Sequence, residues 1–114
     1  MSRVFVIQNV CWKNPTSGQW ESKYDLTPAE QYGELVFLLE PDANPFNAAQ
    51  VTAELMARLG DYGDDDHLLL IGNPALIGLA VATAAAYNDG KVRLLQCDRR
   101  RRYIPVQADL PIFR

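Results

Sequence analysis

Residues 67–98, HLLLIGNPALIGLAVATAAAYNDGKVRLLQCD, decide the fold. An apolar run comes first, followed by a Gly-Asn-Pro break, an uncharged Ala-rich segment, an Asn-Asp-Gly stop and a second apolar run. That succession reads as one strand-helix-strand unit with both strands buried, and it sets the class as α/β. The stretch holds no acid-base-nucleophile set, metal-ligand cluster or complete phosphate motif, and nothing elsewhere in the chain supplies one.

Residues 68–87 carry no charge, over a length that would suit a membrane span. Asn73-Pro74 argues against a span, because the residue before a proline is pushed out of the α region. A helix that starts there keeps only about thirteen residues, too few to cross. Residues 68–71 are then a strand, with Asn73 as N-cap and Pro74 at the first helical position.

Working outward, 114 residues make one domain just large enough to bury a core without staples, and no linker or repeat divides it. Cys11 and Cys97 fall in or beside predicted strands and read as buried free thiols of a reducing compartment; a long-range disulfide is the alternative. The start, MSRVFVIQNV, has neither a long apolar core nor a small-residue cleavage site, so a cytoplasmic address is expected. The net charge of −3 is segregated. Residues 1–90 hold four basic against twelve acidic side chains, a net of −8, and residues 91–114 hold seven against two, a net of +5. Such asymmetry can mark a polyanion-binding segment.

Residues 3–8 read as a buried first strand. The strand can continue through Val10 and Trp12, turn at residues 13–18, and return over residues 19–24 with Trp20 near Trp12. Thr27-Pro28-Ala29-Glu30 is a capping box that opens a short helix closed by Gly33. Residues 35–39 are a second buried strand. Asn44-Pro45 or Asn47 caps the next helix, in which Ala48, Val51, Leu55 and Leu59 recur at helical spacing before Gly60. A third strand over residues 67–71, a helix over residues 74–88 and a fourth strand over residues 92–97 follow. Residues 103–106 are a hairpin partner at an edge, where Pro105 fits because it cannot donate to a ladder. The expected architecture is a small Rossmann-like sandwich around a mostly parallel sheet, with a C-terminal antiparallel edge hairpin.

Four constellations bear on function. The turn at residues 72–78 sits where α/β folds bind phosphates, yet Leu79 and Ala80 follow Gly78 where a P-loop needs Lys and Ser or Thr. It reads as a helix cap. Asp61, Asp64, Asp65 and Asp66 match no calcium-loop spacing and read as a solvated loop, and His67 reads as a strand-end residue. Neither cofactor nor metal is expected. Arg99, Arg100, Arg101 and Arg102 with Tyr103 are the best candidate contact for a phosphate or carboxylate partner, against the simpler reading of a solvated turn. The helix over residues 74–88 has no charged side chain, and its small residues, Gly78, Ala82 and Ala85 among them, form an arc that either meets another subunit or partner or is alanine tolerated at the surface.

DLTPAEQYGELVFLLEP (25–41), DDDHLLLIGNPALIG (64–78) and VRLLQCDRRRRYIPVQADL (92–110) resemble small α/β proteins encoded by tailed bacteriophages. The resemblance covers most of the chain. It implies a cytoplasmic protein made during infection, with a binding task ahead of catalysis. Three functions are therefore expected, in order. The first is a non-enzymatic interaction module acting on a host or phage protein, with self-association through the uncharged helix and no membrane. The second is a nucleic-acid accessory protein using the arginine tip. The third is a small-ligand or nucleotide-binding enzyme at the strand carboxyl ends near residues 41–44 and 72–74.

Overall fold

The computed structural model describes residues 2–98, 100 and 102–111. Its elements run β1 (Arg3–Gln8), β2 (Cys11–Lys13), β3 (Trp20–Ser22), β4 (Glu34–Leu39), α1 (Ala48–Leu59), β5 (His67–Leu69), α2 (Pro74–Tyr87), β6 (Lys91–Cys97) and β7 (Tyr103–Asp109), with a 3-10 helix over Thr27–Tyr32. Five strands form one sheet in the order β4-β1-β5-β6-β7; the first four are parallel and β7 is antiparallel at the edge. The α/β class, the mostly parallel sheet and the C-terminal edge hairpin are those read from the sequence.

β1 lies inside the sheet between β4 and β5, and Val4, Phe5, Val6 and Ile7 are all buried because both faces of the sheet are covered. Phe5 and Ile7 pack with Leu55, Leu59, Leu68 and Leu76 under α1 and α2. Val4 and Val6 pack with Ala29, Leu69, Leu95 and Tyr103 on the other face, where residues 24–32 lie. This division follows from topology. The chain moves from β1 to β4, then reverses past β1 to β5 and β6, and a constant crossover hand puts connections that run in opposite directions on opposite faces.

Both α-helices are capped as their sequences suggest. The Asn47 side chain accepts from the Gln50 amide, and that of Asn73 accepts from the Ala75 amide at 2.9 Å. The Thr27 capping box does not form. Asp25 takes the Thr27 amide, the segment winds as a 3-10 helix, and no side chain caps it. Gly33 closes that helix at φ +152, and a Cβ there would come within 2.6 Å of the Ser2 carbonyl oxygen.

The β2–β3 hairpin forms as a separate two-stranded sheet. Trp12 pairs with Glu21 and Trp20 with Lys13, so the two tryptophans occupy adjacent rungs and point to opposite faces of the ribbon. Cys11 and Cys97 are free thiols, half-buried where the sequence predicts burial, and Cys97 packs against the Val4 and Val6 cluster. Among the described residues, no helix is long and apolar enough to cross a membrane.

Candidate interaction surface

The strand order reverses at β1, and in an open α/β sheet such a reversal leaves a crevice at the strand carboxyl ends where ligands bind. Here Gln8 fills it. Its side-chain amide donates to the carbonyls of Glu40 and Pro41 at 3.3 and 3.2 Å, and its carbonyl accepts from the Asn73 amide at 2.9 Å. Gly72, at φ +129, passes so close that a Cβ would lie 2.6 Å from Gln8 Cβ. The loop after β4 and the turn before α2 are thus stitched together across the place where a substrate would sit.

Two aromatic rings stand exposed near that seam in sequence or in space: Trp20, which shares a hollow with Pro41, is 70% exposed, and Phe46, in the loop between Pro41 and α1, is 95% exposed. Trp20, Cys11, Pro41 and Asp42 line a hollow of about 430 Å³, and Pro41 also borders a smaller one of about 170 Å³ with Phe37 and Arg58. The backbone that presents these rings is held. Asn44 accepts the Phe46 amide on its side chain and the Asn47 amide on its main-chain carbonyl. The hairpin turn closes through Asn14, which accepts from the Gly18 amide and from the Thr16 amide, and Ser22 Oγ donates to Asn9 Oδ1. Exposed aromatic rings on a fixed backbone are what a protein partner uses as anchors.

A model of the family described as Phage Pam3 gp32-like protein matches residues 2–110. The chain belongs to the Pam3 gp32-like family. Members of this family are small phage-encoded proteins, which agrees with the resemblance drawn from the sequence. The comparisons with curated proteins and with solved structures each found no match.

In this Pam3 gp32-like chain the arginine tip is organised by one acid. Asp98 accepts the amides of Arg100 and Arg102 at 2.9 and 2.8 Å and pairs with the Arg102 guanidinium at 3.1 Å, and the two amides and that guanidinium hold its carboxyl below the usual range. Arg100 and Arg102 are exposed, while Arg99 and Arg101 lie outside the described residues. Tyr103 is placed differently from its neighbours. It is buried, and its hydroxyl donates to the Asp25 carbonyl at 2.6 Å while burial raises its pKa. It therefore ties the tip to the opposite layer and offers no ring for stacking.

The α2 arc is also sorted by the fold. Gly78 and Ala82 are exposed with Ala75 and Ala86, whereas Ala85 is buried in the core beside Ala84. The sequence gives no sign of the Gln8 role, and it reads Asp66 as part of a solvated loop. The acidic loop is not wholly solvated: Asp66 is buried, accepts from the Arg3 amide, Nε and Nη2 and from the Gly63 amide, while Asp61 pairs with the same guanidinium. His67 begins β5 with its ring 5.4 Å from that of Tyr32, and its buried Nδ1 has no hydrogen-bond partner. Among the described residues, no group of three His, Cys, Asp or Glu side chains is arranged to hold a metal.

Proposed function

We propose that this Pam3 gp32-like chain is a phage-encoded binding module of the host cytoplasm that engages a protein through the surface around Trp20, Pro41 and Phe46. One observation carries the reading: two large aromatic rings stand in solvent on backbone fixed by its own hydrogen bonds. A solvated ring gains little where it is, and burying it in a complex contributes about 25 cal/mol per Å² removed from water. Asp42 is the charged residue at the Trp20 hollow, so the matching partner presents a small apolar protrusion with a basic side chain beside it. The Gln8 plug supports binding over catalysis, since it occupies the crevice that enzymes of this architecture keep open.

The test is affinity capture from phage-infected cells with the parent chain and with Trp20→Ala and Phe46→Ala. The reading expects a protein retained by the parent and released by at least one variant, with melting temperature unchanged in both. Retention of the same protein by both variants would overturn it.

A second reading, nucleic-acid binding, rests on the exposed Arg100 and Arg102 at a tip shaped by Asp98. It ranks lower because Arg102 is already paired and Tyr103 is buried. On duplex DNA its signature is log K falling with log salt at roughly −0.9 per phosphate neutralised. Undetectable binding at ~50 mM salt, where screening is weak, removes it.

A further inference from the structure

The edge strand β7 carries a pattern that a second copy of the chain completes. Leu110 donates its amide to the Gly90 carbonyl, and Asp98 donates its amide to the Arg102 carbonyl. With Lys91 opposite Asp109 and Cys97 opposite Tyr103, those two bonds fix the phase of the ladder. Even-numbered residues of β7 exchange bonds with β6, and the main-chain groups of Tyr103, Pro105, Gln107 and Asp109 point away from the sheet. Pro105, Gln107 and Asp109 are exposed. On the helix side of the same strand, Ile104, Val106 and Leu110 are 41, 43 and 38% exposed.

We infer that β7 pairs antiparallel with β7 of a second copy about a two-fold axis at Gln107. In that register Gln107 exchanges both main-chain bonds with its own copy, and the Asp109 amide donates to the partner copy's carbonyl at Pro105. Ile104 then faces Leu110 and Val106 faces Ala108 across the seam, so all three exposed apolar side chains of the strand meet apolar neighbours. Asp109 faces Pro105, so no like charges oppose one another.

Two-folds at the neighbouring outward-facing residues do worse. A two-fold at Pro105 sets two residues without amides against each other, and one at Asp109 sets carboxylate against carboxylate. Pro105 removes one donor from this edge, where the Tyr103 carbonyl already accepts from the Tyr32 hydroxyl, and in the Gln107 register the group that lacks the Pro105 donor is the Asp109 carbonyl. Edge pairing of one strand buries less than the roughly 1,200–2,000 Å² of a standard stable interface, so the dimer is a weak one, of micromolar dissociation constant or above.

The unaltered chain supplies the first measurement, sedimentation velocity and amide hydrogen exchange from ~1 μM to ~1 mM, a range set to bracket a weak interface. The mass should rise from 12.8 kDa towards twice that value. The Gln107 and Asp109 amides, which have no ladder partner within one chain, should slow at least tenfold over the same range. Gln107→Pro should stay monomeric, since it deletes only an outward-pointing donor, and Trp20→Ala should dimerise like the parent. The inference falls if the mass stays at 12.8 kDa throughout, or if a dimer forms with both amides unprotected. It falls equally if Trp20→Ala abolishes the dimer or if folded Gln107→Pro retains it. Should Gln107→Pro not fold, the exchange rates of the unaltered chain decide alone.

Discussion

Gln8 and Gly72 are in contact where the strand order reverses, and the absent side chain of one makes room for the long side chain of the other. The pair converts a potential ligand crevice into a joint between two loops, because the Gln8 amide reaches Glu40 and Pro41 on one side and Asn73 on the other.

Gly72→Ala should therefore destabilise the chain by more than Gln8→Ala. The alanine meets Gln8 Cβ at 2.6 Å and must also hold φ +129, a conformation rarely adopted by L side chains. Gln8→Ala leaves a buried amide and two carbonyls without their partner, a cost of about 1–3 kcal/mol. Urea unfolding of the two variants ranks them; equal or reversed losses would show that the joint does not depend on this close approach.

Asp66 should make the fold sensitive to acid. Burial pushes its carboxyl upward, but the Arg3 guanidinium and the Gly63 and Arg3 amides outweigh burial and leave it below its ordinary value. Stability from this group is complete above the unfolded carboxylate range near pH ~3.9 and is lost as pH falls through the lower folded value. Asp66→Asn, which keeps the shape and removes the charge, should cost about 1–3 kcal/mol at neutral pH and flatten the acid limb of the stability curve. An acid limb as steep in the variant as in the parent would assign that limb to other carboxylates.

His67 works in a different window. Burial, and then the neighbouring Arg93, lower its pKa, so the folded chain prefers the neutral ring. Its contribution is complete above the unfolded value near ~6.5 and declines as pH falls through the lower folded value. His67→Phe keeps a ring against Tyr32 and removes the titration. Urea midpoints measured from pH 7.5 down to pH 5 should fall for the parent and stay level for the variant; parallel curves would contradict the assignment.

Asn47, Asn73 and Thr27 should separate cleanly as N-caps. Asn47→Ala and Asn73→Ala each remove a side-chain bond to a helix amide and should cost ~1 kcal/mol. Thr27→Ala should cost less than either, because no side chain caps the 3-10 helix. Thermal melts of the three variants test the order.

Much of this was legible because the deciding signals are local. Apolar runs, Asn-Pro and Asn caps, and the glycines after helices each act within a few residues, and they locate the five sheet strands and both helices. What escaped depends on distant partners. Tyr103 looked like part of a charged tip until its hydroxyl met a carbonyl 78 residues away, and Asp66 looked solvated until Arg3 met it from 63 residues away. Gln8 at a strand end is an ordinary polar residue in sequence; only the reversal of strand order gives its amide two loops to join. The Trp12 and Trp20 geometry was lost to a single rung of register, since shifting one residue along a strand changes the face.

The two faces of the sheet differ in the thickness of their cover. α1 and α2 span one face with two helices, whereas residues 24–32 cover the other with a single 3-10 helix, fastened to the edge strand by the Tyr103 and Tyr32 hydroxyls. Lifting that layer exposes Val4, Val6 and Leu95 but breaks no sheet ladder bond and no α-helical hydrogen bond. By the bonds it breaks, it should open at a lower free energy than the helical face, a flap on a more rigid frame. The chain is therefore built asymmetrically in time as well as in space. Its helical side should exchange amides only on global unfolding, and the amides of its thin side should exchange through local opening as well.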